Sequence, residues 1–276
     1  MKDCKIGQAK LPPYAHLMIY GELTSPELGR IAPKTIALLP IAATEQHGNH
    51  LPVITDTALV TEIAQRAEAA LPKKVALLPT LWIGNSHHHL GFPGTMSIQS
   101  ETYVRVLKDM MDCLLGSGFR RIVLLNGHGG NVIPASEALY RVALEHPGNN
   151  APWVTSATYW GLARRELAAQ KFMESPNLTH ACEFETSMML GLRTDWVRMS
   201  KAEGRRVERH SKFYDPLSYT PSRVSVGETF AHMTDTGAMG SPEKATTEKG
   251  RQLFDLIAPT VIEFLEEFSQ WKLSRR

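Results

Sequence analysis

The chain is poor in the features that would mark several classes of protein. It has three cysteines, Cys4, Cys113 and Cys182, which lack the spacing of a zinc ribbon, and an odd number cannot close a disulfide framework. No apolar run approaches the length of a membrane span, and the stretch from Met1 to Pro13 is not apolar enough for a signal peptide. We therefore expect a soluble protein of the reducing cytoplasm, without a membrane partner.

An excess of charge of one sign is also missing. The formal net charge is +2, and lysine and arginine are spread along the chain except at Arg205-Arg206 and Arg275-Arg276. Without a basic stripe, nucleic acid is not an expected partner. The sequence also lacks a phosphate loop ending in GK[ST], a G-x-G-x-x-G fingerprint and a serine nucleophile elbow. These absences argue against a dinucleotide-binding oxidoreductase and against covalent catalysis by serine.

What remains is the composition of an ordinary globular enzyme. Hydrophobic residues make up 43% of the 276 positions and charged residues 21%, which is typical of soluble domains. We find no internal repeat and no linker rich in glycine, proline and serine. The sequence therefore predicts one domain over residues 1–276.

Short apolar runs alternate with helical patterns. Continuous apolar runs of this kind favour strands that are covered on both faces, and they span Thr35 to Ala42, Val75 to Ile83, Arg121 to Asn126 and Trp153 to Tyr159. Helical spacing is found over Thr57 to Leu71, Ser100 to Leu115, Pro134 to Leu144 and about Glu243 to Phe268. The alternation predicts the α/β class, as a three-layer αβα sandwich with a mainly parallel sheet.

Polar side chains follow two of the predicted strands, where parallel sheets gather their functional sites. Glu45 and His47 come soon after the first strand, Asp56 precedes the next helix, and His128 follows the third strand. Residues two apart in an extended segment leave the same face, so Glu45 and His47 could bind neighbouring ions that Asp56 bridges. Imidazole and carboxylate ligands suit Zn²⁺, Mn²⁺ or Fe²⁺ better than Ca²⁺. In isolation, each motif would also fit a solvated strand end or a turn histidine.

A third polar cluster contains His180, Glu183 and Glu185 and leads into the apolar Met188-Met189. Two carboxylates beside a histidine are costly to bury without a cation or hydrogen-bond donors. The N-terminus of a helix would account for one carboxylate through its dipole. The helix dipole accounts less well for the burial of both carboxylates together with His180.

Taken in order, these segments resemble the creatininase (creatinine amidohydrolase) family. The shared pattern is Glu-x-His-Gly-x-His-Leu-Pro followed by Asp, then Asn-Gly-His, then a His-Ala motif ending in Glu-Thr-Ser, and it lies within residues 39–191. The turn Phe92-Pro93-Gly94-Thr95 and the stretch from Gly237 to Gly250 also resemble family segments. Ala42-Ala43 and Cys182 depart from the usual residues, but neither removes a ligand.

The resemblance implies a metal centre with two divalent ions, Zn and/or Mn, or Fe. Glu45, Asp56 and His128 would hold one ion, while His47, Asp56 and a further glutamate would hold the other. Creatininase carries that glutamate two residues after its Asn-Gly-His motif, where this chain has Gly130. Other branches of the family with a Gly-Gly-Asn turn carry a glutamate three residues after the histidine of the later motif, so the resemblance implies Glu183 as the substitute ligand, with Glu185 supporting it.

The implied activity is hydrolysis. Two ions that share a water lower its pKa and polarise a carbonyl, so hydroxide can open a cyclic amide. A cyclic keto-polyol or an N-formyl compound is an alternative substrate from the same family, and a non-catalytic metal-binding protein is the alternative outside it. His180 is expected to be the general acid, although a structural histidine bonded to Glu185 is the competing interpretation.

Three further residues are candidates for the wall of a substrate pocket: His88, His89 and Trp160. The histidines belong to the run 87–89, which could also supply the general acid or be a surface tract. The resemblance also implies a ring-like or hexameric homo-oligomer, to which the irregular stretch from Arg193 to Gly240 could contribute an interface or a lid.

Overall fold

The computed structural model describes residues 18–175, 178–205, 211–214 and 223–273. Cys4, Arg206 and the pair Arg275-Arg276 lie outside these ranges. Within them, no helix combines the length and apolar character needed to cross a membrane.

A four-stranded, all-parallel sheet forms the centre of the fold, with the strand order β2-β1-β3-β4. Its strands are β1 (Ile36–Ile41), β2 (Val75–Leu77), β3 (Arg121–Asn126) and β4 (Trp153–Thr158). β1 is buried along its whole length and β3 nearly so, as expected of central strands with both faces covered. The predicted α/β class and parallel sheet are thus confirmed.

Helices cover both faces of the sheet. They are α1 (Ser25–Ile31), α2 (Thr55–Ala70), α3 (Ser100–Gly116), α4 (Val132–Glu145), α5 (Tyr159–Leu162), α6 (Arg164–Ala169), α7 (Glu183–Arg193), α8 (Phe230–Met233) and α9 (Thr247–Ser269). Short 3₁₀ turns lie at Tyr20–Glu22, Ala32–Lys34, His87–His89, Gly129–Asn131, Thr194–Trp196, Met199–Lys201 and Pro242–Lys244.

Alternate side chains of the strands enter two separate cores. Leu38 and Val123 pack with α2, α7 and α9 on one face, whereas Leu39 and Leu124 pack with α3 and α4 on the other. This alternation is the two-residue period of a strand. The result is the three-layer arrangement that the sequence predicts.

Two predicted elements differ from the structure by several residues at one end. β2 ends at Leu77 because Pro79 has no N–H to continue the ladder, and the chain then meets β1 only at an isolated bridge from Leu81. The last helix begins at Thr247 rather than near Glu243, because the Thr246 hydroxyl accepts a hydrogen bond from the Lys249 backbone N–H and caps the helix there.

Glycines let α7 and α9 approach closely. A Cβ at Gly250 would overlap the Ser187 carbonyl, and one at Gly191 would lie 3.1 Å from the Gly250 backbone. Any larger side chain at Gly250 would push the two helices apart. Because α7 carries part of the site described below, this crossing fixes the site relative to the sheet.

Candidate metal centre

The site lies at the carboxyl ends of β1 and β3. These strands are neighbours and run parallel, so the loops that follow them emerge side by side. The first loop brings Glu45 and His47, the second brings His128, and Asp56 lies in the first turn of α2. All four side chains are buried, although ionisable side chains usually lie at the surface of a protein.

Asp56 lies between two histidines. Its Oδ1 is 3.0 Å from Nε2 of His47, and its Oδ2 is 3.0 Å from Nδ1 of His128. The far nitrogen of His47 lies 3.1 Å from the Glu45 carbonyl oxygen, and that of His128 lies 3.2 Å from the Asn85 carbonyl oxygen. A carbonyl only accepts, so each ring donates with its far nitrogen and directs a lone pair of its near nitrogen at a carboxylate.

This arrangement fits divalent cations. A lone pair that faces a carboxylate is repelled unless a positive charge stands between them, and both His47 Nε2 and Asp56 Oδ2 are buried without a hydrogen-bond partner. Buried polar atoms without partners are rare and point to a ligand. The donors are also of the nitrogen and oxygen types that zinc, manganese and iron accept.

The donors divide into two sets that share Asp56. In site A, which comprises Glu45, Asp56 and His128, Oε2 of Glu45 is 3.2 Å from Nδ1 of His128. In site B, which comprises His47, Asp56 and Glu185, Oε2 of Glu185 is 3.9 Å from Nε2 of His47. Each set holds one imidazole and two carboxylates at one end of the sheet.

The carboxylates attract positive charge strongly. Burial alone would lower the pKa of His47, but the adjacent Asp56 outweighs it and raises the pKa to about 10. Burial likewise opposes the charged form of His128, and Glu45 and Asp56 raise its pKa well above the ordinary value. Without a metal ion, protons therefore lie between the imidazole nitrogens and the carboxylate oxygens. A metal ion that binds there must displace them.

Glu183, which the sequence analysis assigned as the substitute ligand, belongs to neither site A nor site B. Its Oε1 accepts from Nζ of Lys249 at 2.6 Å and from the Glu174 backbone N–H, and its Oε2 accepts from the Ser175 backbone N–H at 2.6 Å. Both oxygens are thus engaged, and the charge is neutralised by Lys249. The assignment is corrected: Glu185 lies against His47 instead.

Helix geometry explains why Glu185 rather than Glu183 faces the metal centre. α7 begins at Glu183, so residues 183 and 185 are about 200° apart around its axis and face different surroundings. Ala181 has a positive φ of 49°, which is rare for alanine, and its N–H donates to Oε2 of Glu185 at 2.5 Å. Burial raises the pKa of Glu185 to about 7. The glutamate expected only to support the site therefore lies in it.

A network behind site A holds the Glu45 carboxylate in place. The Ser86 hydroxyl donates to Oε2 of Glu45, and Nε2 of His89 lies 3.3 Å from Oε1. The Gln46 amide donates to Nδ1 of His89 at 2.8 Å, so the proton of that ring is on Nε2 and points at Glu45. Sequence reasoning did not find Ser86 or Gln46, since neither residue type stands out in its motif.

His180 lies over site B. Its Nε2 donates to the Gln46 carbonyl at 2.7 Å, which leaves Nδ1 facing Oε1 of Glu45 at 3.6 Å. Its ring lies 4.3 Å from that of His47 between centroids. His180 does not hydrogen-bond Glu185 among the contacts of the described residues, so the competing structural interpretation finds no support in this geometry.

The metal centre opens into a cavity of about 280 Å³. Its lining includes the three predicted pocket residues, His88, His89 and Trp160, together with an apolar wall formed by Leu178, Phe184, Phe230 and Met239. Phe230 stacks on His89 with 3.9 Å between ring centroids. It comes from the irregular stretch after Arg193, where no periodic pattern could have revealed it.

Gly130 also lines this cavity. A Cβ built there would overlap the Asn85 carbonyl oxygen and would lie 2.7 Å from Cε1 of His88. Contacts under 3 Å are not tolerated without a shift of the neighbours. The local structure therefore excludes a side chain at the position where creatininase carries its glutamate.

Comparisons with known proteins find relatives over most of the chain. The family model described as creatinine amidohydrolase matches residues 21–265. A 3-dehydro-scyllo-inosose hydrolase of Thermotoga maritima is 28% identical over 86% of this chain and 80% of its own length. A mycofactocin precursor peptide peptidase of Mycobacterium tuberculosis is 29% identical over 91% of this chain and 90% of its own.

The fold has counterparts among solved structures as well. The crystal structure of a creatinine amidohydrolase superimposes with a TM-score of 0.79 and 25% identity, covering 94% of this chain and all of that one. The family model spans most of the chain, and the buried carboxylates and histidines meet at one end of the sheet. The protein is thus a member of the creatininase family of hydrolases.

Proposed function

We propose that the protein is a dinuclear metal-dependent hydrolase that opens a small, neutral cyclic amide. The observation that carries this proposal is the position of Asp56, whose two oxygens each lie 3.0 Å from a ring nitrogen, one of His47 and one of His128. Two divalent ions bound in such a place would polarise a substrate carbonyl and lower the pKa of a water. Zn²⁺ and Mn²⁺, or Fe²⁺, fit the mixed donors.

The protein groups around the ions have separate tasks. Ser86 and His89 orient Glu45, and the Ala181 N–H orients Glu185. His180 has its Nε2 tied to the Gln46 carbonyl, so its Nδ1 is the atom free to take a proton from the attacking water and return it to the leaving group. The apolar wall excludes bulk water from this exchange.

The cavity supports a small and uncharged substrate. Its volume of about 280 Å³ is at the lower end of ligand pockets. No lysine or arginine lines it within the part of the chain that the structure describes, so a substrate carboxylate or phosphate would find no cationic partner there. Trp160 and Phe230 offer flat faces for a ring.

A cyclic keto-polyol is the second candidate substrate, because a relative of this chain is named as an inosose hydrolase. The test is a screen of metal-loaded protein against lactams, N-formyl amines and cyclic keto-polyols, with product identified by mass spectrometry. The Asp56→Asn variant is the control. Turnover of a lactam that is lost in the control supports the proposal, whereas turnover of only a keto-polyol selects the second candidate. Metal-loaded protein without turnover on any class would leave a metal-binding protein and overturn both.

A further inference from the structure

The turn His87–His89 places one imidazole at site A, that of His88, which makes no hydrogen bond to any other residue that the structure describes. Ligand atoms of Glu45, His88 and His128 all lie within 4.8 Å of one another. The His88 ring is nearly parallel to that of His128, with 13° between the planes and 5.6 Å between centroids. Its two neighbours in the turn are engaged elsewhere: Nδ1 of His87 lies 2.6 Å from the Ser97 hydroxyl, and His89 lies between Gln46 and Glu45.

We propose that His88 is a protein ligand of the ion in site A, alongside Glu45, Asp56 and His128. This inference rests on the proposed metal-dependent function. The absence of a side chain at position 130 leaves room for this ring beside His128, because a Cβ there would meet the Asn85 carbonyl and His128 Nε2 and would lie 2.7 Å from Cε1 of His88.

The surroundings leave His88 ready to donate a lone pair. The ring is half-buried in the wall of the cavity. Only the neutral ring binds a metal ion. Among the described residues His88 makes no hydrogen bond, so its ring nitrogens are available to a ligand in the cavity that it lines.

The added imidazole makes the two sites unequal. Site A then has two nitrogen and two carboxylate ligands, whereas site B has one nitrogen and two carboxylates. Nitrogen-rich sites favour zinc over manganese more strongly than carboxylate-rich sites do. We therefore expect site A to be the zinc-selective position.

The experiment compares His88→Ala, His88→Glu and the matched control His87→Ala, which removes the same side chain from the same turn. Each protein is loaded with Zn²⁺ or Mn²⁺. Metal content is measured by elemental analysis, and affinity by competition with a chromophoric chelator. The Co²⁺-loaded proteins are also compared by visible absorption, which reports the donors around the ion.

We expect the wild type and His87→Ala to hold two equivalents of Zn²⁺. His88→Ala should release one of them at least roughly 10²-fold more readily, since even partners outside the coordination sphere are worth 10- to 100-fold. His88→Glu should retain two equivalents but shift one toward Mn²⁺, and only the His88 variants should change the Co²⁺ spectrum.

Two results would overturn the inference. One is a His88→Ala protein that holds both ions with wild-type affinity and an unchanged Co²⁺ spectrum. The other is equal loss in His87→Ala and His88→Ala, which would show that the turn rather than the imidazole matters. A wild type that binds no divalent ion would instead defeat the proposed function itself, so the two failures are distinguishable.

Discussion

At the scale of single residues, the centre depends on one carboxylate that serves two sites. Each oxygen of Asp56 faces a different histidine. A substitution of Asp56 should therefore affect metal binding at both sites. The neighbouring ligands belong to one site each. This division gives the ligands different expected phenotypes.

The first prediction concerns Asp56→Asn. Asparagine keeps the shape but removes the charge and one acceptor oxygen, so both ions should be lost together, and the metal content should fall from two equivalents toward none. Elemental analysis after gel filtration measures this. Asp112→Asn, which alters an ion pair with Lys108 away from the site, should retain both ions. Loss of a single equivalent from Asp56→Asn would show that it does not bridge.

The second prediction uses the two glutamates of α7 as a pair. Glu185→Gln should weaken the ion in site B while the fold persists. Glu183→Gln should keep both ions but destabilise the protein by about 1–3 kcal/mol, because it removes the buried one of the two carboxylates that hold the half-buried Lys249 ammonium, the other being Glu174. Metal analysis and urea unfolding separate the two effects. Loss of an ion from Glu183→Gln and not from Glu185→Gln would show that Glu183 is the ligand.

The third prediction separates catalysis from metal binding at His180. His180→Ala should retain both ions and unfold at a near-normal urea concentration, while its turnover falls roughly 10² to 10⁴-fold, the usual worth of a positioned acid or base. Metal content, unfolding and kcat are measured on one preparation. Loss of metal in step with activity would make His180 a ligand. Normal turnover would show that His180 is not the general acid.

At the scale of secondary-structure elements, a buried histidine links the loop after β1 to α7. Nε2 of His50 lies 2.8 Å from the Thr186 hydroxyl, so the loop carrying Glu45 and His47 is joined to the helix carrying Glu185. Burial, with a further contribution from His47, lowers the pKa of His50 from 6.5 to about 4. Burial therefore keeps the linking ring neutral in the folded protein above about pH 4.

The fourth prediction follows from this pKa. Below pH 6.5 the unfolded chain protonates His50 while the folded chain does not, so its contribution to stability is complete above pH 6.5 and is lost as the pH falls toward 4. In urea unfolding, the wild type should lose about 2 kcal/mol more than His50→Gln between pH 6.5 and 5. Parallel pH curves for the two proteins would show that the ring is not held neutral.

The sequence predicts the elements with strong periodicity, but it does not predict the contacts between distant segments. β1 and β3 follow directly from their apolar runs, and with them the place where Glu45 and His128 emerge. The choice between Glu183 and Glu185 depended on where α7 begins and on the conformation of Ala181. Both are set by packing against α9 and by Lys249, a residue 66 positions away in the chain, so no local pattern could reveal them.

At the scale of the whole molecule, α4 carries an apolar stripe that the chain itself leaves exposed. Ile133, Tyr140 and Leu144 are 80%, 72% and 79% exposed. Their spacings of seven and four residues put them on one face of the helix. Large apolar side chains clustered on a surface mark association sites. We therefore propose this stripe as part of the interface of the homo-oligomer that the family resemblance implies.

The fifth prediction tests that proposal by sedimentation velocity at micromolar concentration. The wild type should sediment as an assembly of several 30.7 kDa chains, and the double variant Ile133→Lys, Leu144→Lys should sediment at lower mass because buried lysines repel across a symmetric interface. The control places the same two lysines at Ala168 and Ala169, which are exposed on α6, and it should match the wild type. A wild-type monomer would refute the oligomer, whereas an assembly that survives the double variant would assign its interface to another surface.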